Sequence, residues 1–171
     1  MRGQRDQKLK EMIHGFWTSQ CLYVMTVLGI PDYLKGRSLT CATLAELSGT
    51  HPDALYRFLR ALVSLGLIEK DDRGCFMLTS FAQPLLKEMY GSLQAEILHL
   101  LHPSCWLSWG QLLHSIKTGQ AAFPEIFGQS AWEYRSQHPE VGAIFDGMAE
   151  SMQRREKQAI LEHLDVTDVQ L

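Results

Sequence analysis

The chain has 171 residues, 46% hydrophobic and 20% charged, with a formal net charge of −3. That length holds one ordinary domain or a small domain with a helical annex, and the composition excludes a disordered or fibrous chain. The slight acidity offers nothing to attract nucleic acid or an anionic membrane. No apolar run reaches the roughly 18–20 residues of a membrane span. The polar start MRGQRDQKLKEM is not a secretory signal. Cys21, Cys41, Cys75 and Cys105 form no CxxC pair, the usage of a reduced, cytoplasmic protein.

Over residues 6–29, Leu9, Met12, Ile13, Phe16, Trp17, Val24, Val27 and Leu28 recur at three- and four-residue spacing. This predicts one long helix with a single apolar face, roughly 35 Å long at about 1.5 Å per residue. Gly29 and Pro31 stop it, and IPDYLKG reads as a short helical turn. Residues 43–47 form a second short helix, ended by Ser48 and Gly49. Thr50 or Asp53 then caps a helix over 53–65 that buries Leu55, Phe58, Leu59 and Leu62 and ends at Gly66. LIEKDDRGCFML follows as two short β runs around Asp71, Asp72, Arg73 and Gly74. Helix, helix, helix and then a hairpin is a winged-helix order, and the winged-helix unit itself needs roughly residues 37–86.

Beyond Thr79 the pattern is helical: a short segment at 81–89, then 92–118 with Leu93, Ile97, Trp106, Trp109, Leu112 and Ile116. Pro103 kinks or breaks the latter. Short segments at 122–128 and 131–137 carry Phe123, Phe127 and Trp132. A last helix over 140–164 sets Val141, Ile144, Phe145, Met148 and Met152 on one side, and residues 166–171 are strand-like with no partner strand in view.

No GxG, HExxH or GxSxG occurs, so the chain holds no dinucleotide fingerprint, P-loop or self-contained hydrolytic site. His99 and His102 are the one close histidine pair and lack a full ligand set, so no metal is expected. The recognition helix of a DNA-binding winged helix would offer only Arg57 and Arg60 here. Residues 37–86 balance Arg37, Arg57, Arg60, Lys70 and Arg73 against Glu46, Asp53, Glu69, Asp71 and Asp72. A groove reader needs a basic face. The apolar faces outside this unit are larger than it can cover. One helical core or a second copy of the chain must bury them, and an intertwined dimer is the favoured reading.

The runs GFWTSQCLYVMTVLGIPDYL, LAELSGTHPDALYRFLRALVSLGLIEK and GCFMLTSFAQPL resemble the N-terminal part of class I S-adenosylmethionine-dependent O-methyltransferases. The branch holds plant caffeate and isoflavone enzymes, hydroxyindole enzymes and bacterial polyketide-tailoring enzymes. SWGQLLHSIKTGQAAFPEIFG, AWEYRSQHPE and IFDGM continue the match in order, from about residue 8 to 165. The resemblance implies a mainly α fold: a dimerisation helix at 1–36, a winged-helix subdomain with a hairpin wing at 37–86, and a helical dimerisation and substrate-lid region at 87–165. Residues 166–171 would be a linker towards a Gly-rich α/β domain that binds S-adenosyl-L-methionine and carries the family's catalytic histidine. The chain is therefore expected to be an N-terminal domain, inactive alone, of a homodimeric enzyme methylating a hydroxyl of a small aromatic or polyketide-like acceptor. A stand-alone winged-helix interaction or regulatory module is the alternative.

The same resemblance assigns acceptor-facing positions to Leu100, Ala131, Trp132, Val141, Phe145, Met148 and Ser151, with Met152 their neighbour, and lets Tyr134 reach the methyl donor. No catalytic residue is assigned. The chain is one residue shorter between Phe145 and Met148 than the plant pattern. Phe145, Met148 and Met152 at helical spacing are equally the pattern of plain core, and Glu133 reads as a cap or ion-pairing residue rather than a base.

Overall fold

The first helix, α1 (Arg2–Val27), is followed by a turn at Leu28 and Gly29, and the Gly29 φ of 67° leads the chain into α2 (Ile30–Tyr33). The computed structural model describes residues 2–163. The strand-like stretch read as a linker at 166–171 lies outside the described residues. Thr40 opens α3 (Cys41–Ser48), its hydroxyl accepting the Thr43 N–H at 3.2 Å. α4 (Pro52–Ser64) begins from His51 without a side-chain cap, not from Thr50 or Asp53. The reason is local: Pro52 has no N–H to satisfy, Asp53 lies inside the first turn, and the Thr50 hydroxyl is engaged with Ser48 at 2.9 Å.

β1 (Ile68–Lys70) and β2 (Phe76–Leu78) pair antiparallel, Ile68 opposite Leu78 and Lys70 opposite Phe76. Asp71 shapes their turn, its carboxylate accepting the N–H groups of Arg73 and Cys75 at 3.0 and 2.8 Å. Leu39 adds a bridge to Phe76. Helices α2 to α4 followed by this hairpin keep the expected order. Their core joins Leu44, Leu59, Leu62, Ile68 and Phe76 to Met25, Ile30 and Leu34, so the end of α1 belongs to it. Phe58 is only half-buried.

A 3-10 helix (Ser80–Leu85) stands where a short α-helix was expected, with Pro84 inside it. The single helix expected over 92–118 is three: α5 (Gln94–Leu100), α6 (Pro103–Gly110) and α7 (Leu112–Thr118). Pro103 makes the first break. The second falls at Gln111, which directly follows the flexible Gly110 and has φ −102° and ψ 21°. α8 (Ala122–Phe127), α9 (Ala131–Gln137) and α10 (Pro139–His163) complete the chain, and α10 packs on α5 and α9. Asp32 ties the two halves together, accepting from the Lys87 N–H and the Gln94 amide at 2.9 and 2.7 Å. No described helix is long and apolar enough to cross a membrane.

The apolar surface foreseen from the spacing is open. Met12 and Ile13 on α1 are 71% and 65% exposed, and Ile116 on α7 is 76% exposed. Among the described residues of one chain, no helical core covers them.

Candidate functional site

Helix α9 is set by a reciprocal cap: the Ser130 hydroxyl accepts the Glu133 N–H at 3.2 Å, and the Glu133 carboxylate accepts the Ser130 N–H at 2.8 Å. Hydrogen bonds from Ser130, side chain first and backbone second, hold the Glu133 carboxyl below its ordinary pKa. A carboxylate so held is a cap and a poor proton acceptor.

Three-residue spacing places Trp132 and Arg135 on one face of α9. The Arg135 guanidinium carbon lies 4.2 Å from the Trp132 ring centre and 4.0 Å from that of Phe145 on α10. The two rings meet edge to face at 5.8 Å, and His99 of α5 meets Phe145 edge-on at 5.2 Å. Helices α5, α9 and α10 therefore converge on Phe145. Burial, then the charges of Arg135 and His102, push the His99 pKa below its usual value. Burial lowers His102 too, against the opposing charge of Glu140. Burial raises the Cys105 thiol, with Ser104 and Arg135 opposing. These shifts favour neutral groups, and no set of three metal-binding side chains forms among the described residues.

Tyr134 points to another side of α9. Its ring packs on Phe123 at 5.5 Å, Phe127 at 5.0 Å and His138 at 4.2 Å. The face expected on α10 is really two stripes. Val141, Phe145, Met148 and Met152 share one, with Val141 buried and Met152 exposed. Ile144, Gly147 and Ser151 lie about 90° around the helix and border a cleft of about 690 Å³ between α5 and α10. There the Ser151 hydroxyl donates to the Ser92 carbonyl at 3.1 Å. Leu100 lines a third place, an apolar cleft of about 640 Å³ with Leu22, Phe81 and Ile97. The structure thus brings Trp132 to the Phe145 stripe, with Ala131 beside it at the start of α9, and sets Leu100, Ser151 and Tyr134 apart. Arg135 at the centre was not foreseen; its signal was the spacing Trp132-x-x-Arg135 on a short helix.

Residues 10–88 match the family model of the O-methyltransferase dimerisation domain. The chain is 30% identical over 158 residues to a phenazine O-methyltransferase, PhzM, of Lysobacter antibioticus, covering 92% of this chain and 46% of that protein. The crystal structure of LaPhzM superposes with a TM-score of 0.86 at 28% identity, over 94% of this chain and 48% of that one. An O-methyltransferase from neocarzinostatin biosynthesis, NcsB1, in complex with S-adenosylmethionine and 2-hydroxy-5-methyl naphthoic acid, superposes at 0.69 with 31% identity, over 79% and 42%. The chain spans less than half the length of these proteins.

Proposed function

From the match of residues 10–88 to the O-methyltransferase dimerisation-domain model, we propose that this chain is the dimerisation and acceptor-pocket part of an S-adenosylmethionine-dependent O-methyltransferase. Its acceptor is the hydroxyl of a small aromatic or polyketide-like molecule, and its working form is a homodimer. The balance of five basic against five acidic residues over 37–86 supports a reading without nucleic acid. The observation that carries the reading is the reach of the similarity: it extends over 92% of the chain, well beyond residue 88, and so includes the aromatic wall of α9 and α10.

Methyl transfer from a sulfonium is an in-line displacement and needs a dry, shaped site with the acceptor hydroxyl held in line. This chain supplies shape and exclusion of water. Trp132 and Phe145 give flat apolar surface, and the thioethers of Met148 and Met152 adapt to a planar ring. Ala131 and Val141 flank them. Leu100 and Ser151 stay in the proposal through their sequence positions, each bordering its own cleft. The division into 1–36, 37–86 and 87–165 is proposed with the same function.

The described residues do not by themselves fit the methyl donor. Tyr134, the one candidate, has its ring engaged by Phe123, Phe127 and His138, which leaves its hydroxyl edge to reach a cofactor held mainly elsewhere in the enzyme. No acid or base is assigned within this chain.

The test is methyl transfer by the protein encoded in the complete reading frame that contains these residues. With methyl-labelled S-adenosylmethionine and a panel of phenols it is expected to yield labelled aryl methyl ethers. A folded, dimeric product that labels none of them would favour a non-catalytic interaction module.

A further inference from the structure

We propose that Arg135 recognises a carboxylate carried by the planar acceptor, an inference that rests on the reading of α9 and α10 as an acceptor wall. The Arg135 Nε is buried and has no hydrogen-bond partner among the described residues. Buried donors are almost always paired, and leaving one bare is costly. Stacking on Trp132 and Phe145 covers the faces of the guanidinium but does nothing for its N–H groups, which lie in the plane and point outward.

The nearby carboxylates are committed elsewhere. Glu133 caps α9, Glu140 lies 3.4 Å from His138 Nδ1, and Glu96 pairs with Arg155. The other ionisable groups facing this arginine, His99 on α5 and Cys105 on α6, bring no negative charge, since burial favours the neutral thiol. A planar guanidinium with its Nε left without a partner and its faces held against aromatic rings has the fork geometry that fits a carboxylate. The indole of Trp132 is 70% exposed, which leaves ring surface for the aromatic system bearing that carboxylate. A purely structural arginine would contribute stacking alone.

Two probes separate these roles: 2-naphthol and 3-hydroxy-2-naphthoate share the ring system and hydroxyl and differ by the carboxylate. Calorimetric titration of the chain is expected to show the naphthoate binding at least tenfold tighter than the naphthol. Arg135→Leu is expected to abolish that preference, whatever it does to naphthol affinity itself, and Arg135→Lys to retain part of it. Added salt should weaken the preference in the parent chain and not in Arg135→Leu. Circular dichroism checks that each variant folds; should Arg135→Leu fail, Arg135→Gln, which keeps polar donors but no charge, serves in its place. A preference that persists in the uncharged variant overturns the inference. Equal binding of both probes to the parent chain overturns it too, while leaving the acceptor wall intact. Failure of the parent chain to bind naphthol at all removes the wall itself and this inference with it.

Discussion

Replacing Ile13 and Phe16 together by Glu should split the proposed homodimer without unfolding the chain. Both side chains sit on the outward face of α1, Ile13 at 65% and Phe16 at 50% exposure, so within one chain they stabilise little. Fully burying such a side chain is worth about 1.5–3 kcal/mol, so half to two-thirds of that, about 1–2 kcal/mol each, is available to an interface. In a two-fold interface each position counts twice. The pair therefore accounts for about 4–8 kcal/mol of association, before the cost of burying a carboxylate, and its loss raises the dissociation constant by at least about a thousandfold. Sedimentation equilibrium at micromolar concentration should give about twice 19.4 kDa for the parent chain and 19.4 kDa for the double variant. Circular dichroism and the melting curve of the monomeric variant should still report a folded helical protein. A double variant that associates as tightly as the parent, or a parent that is monomeric throughout, refutes this assignment of the α1 face.

Three other outcomes follow from the same structure. Titration with S-adenosylmethionine should give no binding heat, because the chain contains no GxG to cradle the cofactor; a micromolar constant would place a cofactor site within these residues. Met148→Ala should lower acceptor affinity at modest cost in stability, whereas Leu59→Ala, fully buried in the core, should cost about 2–5 kcal/mol and leave affinity alone; equal stability losses with no affinity change would make Met148 plain core. Stability should fall on acidification below about pH 6.5, because His99 and His102 have folded pKa values below the unfolded one. The unfolded chain then binds more protons as the pH drops from about 6.5 through the lower folded values, so stability is complete above that window and lost within it. His102 Nδ1 accepts the Ser104 N–H at 3.2 Å to cap α6, which only a neutral ring does, so melts of His102→Asn should show a shallower slope between pH 6.5 and 5; an unchanged slope would exclude this residue as a source.

The helical order and the hairpin were legible because each boundary carries local chemistry: Gly29 and Pro31 after α1, the Asp71 turn between the strands, Pro103 at the start of α6. Gly110 was read through, since a lone glycine in an apolar pattern does not reveal whether the helix stops there. The site was legible in part. Periodicity grouped Phe145, Met148 and Met152, but the apolar stripe also took in Ile144, which helix geometry turns about 100° from Phe145, and packing against α5 and α9 shows what each face meets. Arg135 was missed because a charged side chain on a short helix ordinarily faces solvent, and its two aromatic partners come from residues three and ten positions away on different helices.

The central claim, that α9 and α10 form the acceptor wall, is tested most directly by the indole N–H resonances of the four tryptophans. In a 15N spectrum of the chain, assigned with Trp132→Phe, titration with 2-naphthol should shift the Trp132 signal most and leave Trp17, on the outward face of α1, unmoved. Shifts confined to Trp17, Trp106 or Trp109, or no shift at all, would contradict it.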